Sequence, residues 1–267
     1  MQENAPKKTL DDALAIMRDL RARDAWDKAQ THESLRPYLN EEMHELDDAI
    51  RDGDAAGMQS ELGDVLLQVL FHAIIAEERG AFDVHDVAGS LVHKMVARHP
   101  WLYGDAPGRE PWEQMKSKTR RSLADGLPQG LPSLHRAHRL QERAAGVGFD
   151  WPDVRGPIDK VREELGEVEE VIAAHGTAFD THGVPSGDTR HRALEGELGD
   201  LLFAVVNLCR KAGTHPALAL DRANAKFQQR FEAVERIAIA RGLDVRTAGL
   251  EALDAIWDEV KREEPAR

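Results

Sequence analysis

An acidic pattern written twice constrains this chain more than any other feature. Glu41-Glu42-Met43-His44-Glu45 is followed by Glu61-Leu62-Gly63-Asp64, and Glu163-Glu164-Leu165-Gly166-Glu167 is followed by Glu197-Leu198-Gly199-Asp200. Residues three or four apart share a helix face, so Glu42 with Glu45 and Glu61 with Asp64 can aim from two packed helices at one point. Such a cluster repels itself unless a cation sits inside it. Carboxylates without His or Cys partners suit hard, oxygen-seeking ions, so Mg2+ is the expected metal and Mn2+ the alternative.

The repetition runs past the acids. Lys94 and Arg98 answer to Lys226 and Arg230, and Trp112-Glu113-Gln114-Met115-Lys116 answers to Trp257-Asp258-Glu259-Val260-Lys261. One Glu-x-x-Glu arises by chance on many solvated helices, but this order kept twice points to duplication, with a period too long for a solenoid. Apolar residues recur three and four apart and sustained alternation is absent, so the fold class is all-α. Helices are expected near 9–24, 34–52, 55–80, 84–98 and 111–124, then near 133–145, 157–175, 190–213, 216–242 and 247–263. Two Gly and two Pro in Asp125-Gly126-Leu127-Pro128-Gln129-Gly130-Leu131-Pro132 mark a linker at 125–132 between domains at 1–124 and 133–267. Between Glu167 and Glu197 the stretch 175–188 breaks the symmetry and reads as a tolerated surface insertion.

Composition narrows the partners. A net charge of -13 argues against nucleic acid or an anionic membrane, and leaves a small anion met through a metal ion and a few local cations. Cys209 is the only cysteine and lies beside the apolar run 201–208, which fits a reducing cytoplasm. The first residues lack the apolar centre of a signal peptide, and no stretch approaches membrane-spanning length.

Cations held by four carboxylates, with Lys and Arg on a following helix, make a compartment suited to a polyphosphate. Lys226 and Arg230 would meet phosphate oxygens, and a spare carboxylate such as Glu163 would help deprotonate water for attack on phosphorus. Trp257 is placed either to stack on a base or to fill the core. Glu41 with His44 forms one Glu-x-x-His, but a di-iron bundle needs a second, and Gly166 stands at the matching position. A nucleotide-binding regulator without turnover is the remaining alternative; it would dispense with a metal ligand, and none is missing.

Several runs carry a resemblance: Trp26-Asp27-Lys28-Ala29-Gln30-Thr31, the acidic pairs, Arg98-His99-Pro100, Gly148-Phe149-Asp150-Trp151, 199–208 and 224–231. Over nearly its whole length the chain resembles the MazG family of nucleoside triphosphate pyrophosphohydrolases in tandem-repeat form. That resemblance implies two four-helix-bundle domains, Mg2+ dependence, a homodimer, and hydrolysis of nucleoside triphosphates to the monophosphate and pyrophosphate. It also implies that Glu164, Glu167, Glu197 and Asp200 are metal ligands beside Glu163, with Glu42, Glu45, Glu61 and Asp64 their counterparts in the first repeat. Lys226 and Arg230 fall at phosphate-contact positions, and Lys160, Asn224, Trp257 and Lys261 are substrate-binding candidates. Tyr38 and Val92 stand where Lys160 and Asn224 would be in the first repeat, which agrees with catalysis centred on the second.

Overall fold

The computed structural model describes residues 8–105, 108–109, 112–117, 120–175 and 189–263. Among them are twelve helices and no strand: α1 (Leu10–Arg23), α2 (Ala25–Ala29), α3 (Arg36–Asp52), α4 (Ala55–Glu78), α5 (Val84–Arg98), α6 (Pro100–Tyr103), α7 (Trp112–Ser117), α8 (Ser133–Gly146), α9 (Arg155–His175), α10 (Thr189–Lys211), α11 (Pro216–Ala240) and α12 (Gly249–Glu263). None is long and apolar enough to cross a membrane. The chain divides into two compact units, Met1–Arg109 and Glu110–Arg267.

In the first unit α4 is the hub, with α1, α3 and α5 packed on it. Its second half is apolar nearly all round, and Leu70, Phe71, Ala73, Ile74, Ile75 and Ala76 are all buried. Leu14 and Met17, three apart on α1, join them with Leu35. Burying one such side chain as fully as Ile75 contributes about 1.5–3 kcal/mol. Local signals set the helix limits. Thr9 and Asp12 form a capping box that starts α1, Asp83 and Asp86 form another that starts α5, and Gly53 ends α3 at φ 69°, where a side chain would be strained.

In the second unit α9 and α10 pack along their lengths, α8 lies against α10, and α11 pairs with α12 over Val234, Ala238, Ile256 and Val260. The helix expected at 111–124 stops at Ser117, and bends and turns occupy 121–126. The expected 125–132 linker is instead tied into this unit. Buried Arg143 on α8 donates to the carbonyls of Leu123 (2.7 Å) and Asp125 (2.9 Å), and Arg136 donates to that of Pro128 (3.1 Å). On α7, Glu113 takes Arg120 at 2.7 Å and Arg139 at 2.9 Å, fastening that helix to α8. The division therefore falls at Arg109–Glu110, because these bonds commit α7 and the former linker to the second unit. Most of the 175–188 insertion, residues 176–188, lies outside the described residues.

Candidate active site

On α9 the sequence sets Lys160, Glu163, Glu164 and Glu167 within two turns, and on α10 it sets Glu197 and Asp200 three apart. Packing α9 on α10 brings one carboxylate oxygen each from Glu164, Glu197 and Asp200 within 4.8 Å of one another. The side chain of Glu164 is only 6% exposed. Its Oε1 accepts from Lys160 Nζ at 2.5 Å, while Oε2 is buried without a hydrogen bond. Lys160 holds the Glu164 carboxyl below its usual range; hydrogen bonding and charge from Glu164, with burial and then Glu197, push Glu167 up. One lysine against four carboxylates leaves the cluster short of positive charge. A buried orphan oxygen, converging carboxylates and an all-oxygen donor set fit a divalent metal ion.

Glu163 takes a different position. Its side chain is 58% exposed and bonded to Lys160 at 2.9 Å, so it stands beside the cluster rather than within it.

A cavity of about 430 Å³ opens next to these carboxylates, with Glu164, Asp200 and Lys160 in its wall. The rest is largely apolar, with Leu140, Phe149, Trp151 and Phe203 prominent and Gln141 and Asn207 between them. The Gly148-Phe149-Asp150-Trp151 turn is pinned there by Asp150, which takes Arg210 at 2.5 Å and Lys211 at 2.9 Å. Burial alone would raise the Asp150 carboxyl, but the bonds to Arg210 and Lys211 hold it low. Gly156 makes room for the indole of Trp151, since a Cβ there would meet Cδ1 at 2.0 Å. None of the aromatic or amide residues of this wall announced itself by spacing; Phe149, Trp151, Phe203 and Asn207 stood out only within the runs that carry the family resemblance, and Gln141 lay outside them.

The α11 and α12 candidates are not among the residues that line that cavity. Asn224 and Lys226 are exposed on α11. The Arg230 guanidinium lies 5.8 Å from the centre of the Trp257 ring. Trp257 tilts against Phe227 at 5.3 Å and packs on the Val234–Ile256 core, and Lys261 is paired with Asp258 at 2.7 Å. Trp257 is thus partly buried against that core, with one ring contact to Phe227 and the Arg230 guanidinium beside it.

In the first unit Glu42, Glu45 and Glu61 converge; Glu45, the counterpart of Glu167, stands in that set where Asp200 stands in the second. Burial and then the charges of Asp64, Glu45, Glu61 and Glu41 push the Glu42 carboxyl up, and Glu61 is raised by burial, Glu45 and Asp64. Tyr38, in the place of Lys160, lies edge-on to Trp26 at 6.1 Å and brings no cation.

Two helical units, each carrying convergent carboxylates on a packed helix pair, define an all-α protein with acidic metal-type sites. The family model of the MazG nucleotide pyrophosphohydrolase domain matches residues 30–103 and 157–235, one segment in each unit. The chain is 40% identical to a nucleoside triphosphate pyrophosphohydrolase of Escherichia coli K12, over 96% of this chain and 98% of that one. It is 42% identical to the nucleoside triphosphate pyrophosphohydrolase/pyrophosphatase MazG of Thermotoga maritima, over 94% of this chain and 95% of that one. A nucleoside triphosphate pyrophosphohydrolase of Mycobacterium tuberculosis is 44% identical over 52% of this chain and 45% of its own length. The chain belongs to the MazG nucleotide pyrophosphohydrolase family.

Proposed function

We propose that the protein hydrolyses nucleoside triphosphates to the monophosphate and pyrophosphate, and that the second unit carries the reaction. The observation that carries this reading is the convergence of Glu164, Glu197 and Asp200 beside a cavity of about 430 Å³. Glu164, Glu167, Glu197 and Asp200 would hold Mg2+, with Mn2+ an alternative. Bound there, the metal would neutralise phosphate charge and activate water for attack on the α-phosphorus.

The remaining roles fall to side chains. Lys160, on the cavity wall, offers an ammonium to phosphate oxygens once a metal ion shares its hold on Glu164. Glu163, exposed and one bond from Lys160, is placed to take a proton from an incoming water. Lys226 and Arg230, four apart on α11, supply further charge for the leaving pyrophosphate, with Asn224 on the same exposed stretch. We place the enzyme in the cytoplasm as a homodimer.

Hydrolysis in oxygen-18 water tests the bond cleaved: the label should enter the nucleoside monophosphate and leave pyrophosphate unlabelled. Labelled pyrophosphate, or inorganic phosphate as first product, would contradict the assignment. Nucleotide binding without products would instead favour a regulatory protein.

A further inference from the structure

We infer that a separate, basic pocket of the second unit binds a small inorganic phosphate anion, phosphate or pyrophosphate, among Arg120, Arg121 and Arg143. The pocket measures about 230 Å³ and has three arginines and two serines in its wall but no carboxylate. It shares only Leu123 with the larger cavity beside Glu164 and Asp200, and such a site is independent of the triphosphate reaction proposed above. Its volume falls below the range of about 300–1,000 Å³ usual for small-molecule sites, which suits a free phosphate anion and leaves out a whole nucleotide.

Two of the arginines hold donors in reserve. Arg143 is 5% exposed; its Nη1 is taken up by the carbonyls of Leu123 and Asp125, whereas its Nε is buried without a hydrogen bond. Nε and Nη2 form the side edge of a guanidinium, a fork that matches two oxygens of a phosphate. Arg120 repeats the arrangement: Nη1 donates to Glu113 at 2.7 Å, and Nη2 is buried without a partner. A buried charged donor with nothing to donate to is costly, and an oxyanion would remove that cost at both residues. Positive charge is also in excess. Glu113 is divided between Arg120 and Arg139, and burial, followed by the charges of Arg120 and Arg139, pushes the Arg143 guanidinium down against the opposing pull of Glu113 and Asp125. An anion carrying two or more charges would relieve that repulsion. Arg121, exposed, adds charge to the same wall, and Ser122 adds a hydroxyl donor.

Calorimetric titration of inorganic phosphate and of pyrophosphate into the full chain, in EDTA and at constant ionic strength, tests the site. At least one of the two should bind with a Kd of about 1 mM or tighter. Arg120→Gln should weaken that binding about tenfold, and Arg143→Lys, which keeps the charge but loses the fork, by a similar factor. Arg121 is exposed, so Arg121→Gln should leave the fold intact and weaken binding about threefold even if the buried substitutions disturb folding. Lys226→Gln, at a position proposed above for substrate phosphate, should leave the Kd within about twofold of wild type. AMP, too large for the pocket, should not displace the bound anion. No saturable binding of either anion up to about 10 mM, binding unmoved by Arg121→Gln, or binding lost in Lys226→Gln overturns the site. Displacement by AMP overturns the choice of a free inorganic anion.

Discussion

Lys160 Nζ lies 2.5 Å from Glu164 Oε1, so the buried acid of the cluster is neutralised by a side chain four residues earlier on its own helix. A divalent ion bound at the cluster would compete with this ammonium for the same carboxylate. Removing the lysine, as in Lys160→Met, leaves Glu164 buried and unpaired when no metal is present. The variant should melt about 3 °C below wild type in EDTA and regain most of that difference in Mg2+, giving it the larger metal-induced rise in Tm. Scanning calorimetry of both proteins with and without Mg2+ measures the two rises, and equal rises would show that Lys160 does not offset the cluster.

The proposed homodimer would draw on the apolar surface of α10. Leu198, Leu202 and Val205 recur along one side of the helix and are 42%, 59% and 39% exposed. A stripe of this kind beside an active site is the surface a second copy would cover. Light scattering should give twice the chain mass of 29.7 kDa, and Leu202→Glu should return it to one chain mass while its helical circular dichroism is kept. A monomeric wild type at micromolar concentration would remove the dimer.

The carboxylates were legible in the sequence because helix periodicity turns a spacing of three or four residues into a shared face, and α9 and α10 obey it at Glu164, Glu197 and Asp200. The ends of α3 and α4 were legible for a similar local reason: Gly53 and Gly80 adopt φ 69° and 66°, which suits glycine. Contacts between distant segments left no such trace. Gln141 and Phe203 are joined across 62 positions, and nothing about either neighbourhood encodes the other. Trp112 to Lys116 matches Trp257 to Lys261 in sequence order, yet α7 packs on α8 because Glu113 finds Arg139 there. Glu163, expected as a spare carboxylate beside the ligands, is 58% exposed and bonded to Lys160 rather than converging with Glu164, Glu197 and Asp200.

Acid should loosen the second unit at its histidines. His135 and His138 on α8 meet His215 at the start of α11, with ring centres 5.1 and 4.8 Å apart, and His138 Nδ1 and His215 Nδ1 are buried without partners. Burial first, then the neighbouring imidazole of His215 and the charge of Arg139, hold His135 and His138 below the ordinary value of 6.5; Glu142 opposes this. The unfolded chain therefore takes up protons before the folded one does. Stability is complete above pH 6.5 and is lost as the pH falls from there through the depressed folded values. Tm should drop by roughly 5 °C between about pH 7.5 and pH 5.5, and His138→Phe should flatten that slope. A slope unchanged by the substitution would assign the acid sensitivity to other groups.

The two acidic clusters should contribute unequally. Glu164 and Asp200 border the cavity and adjoin Lys160, whereas Glu42, Glu45 and Glu61 have Tyr38 in the lysine's place, and Glu45 is exposed. Asp200→Ala removes a carboxylate that, in the proposed reaction, would act on the phosphate through the metal, and should lower kcat by about 10²–10³ with the fold intact. Asp64→Ala should leave activity within about threefold of wild type, since the cavity and its lysine belong to the second unit. It should also ease the repulsion that raises Glu42 and Glu61, so that Tm without metal stays level or climbs by about 1–2 °C. Steady-state pyrophosphate release at saturating Mg2+, with circular dichroism on each variant, separates the cases. Large losses in both variants would mean that the two units share the chemistry, and a loss confined to Asp64→Ala would place the reaction in the first.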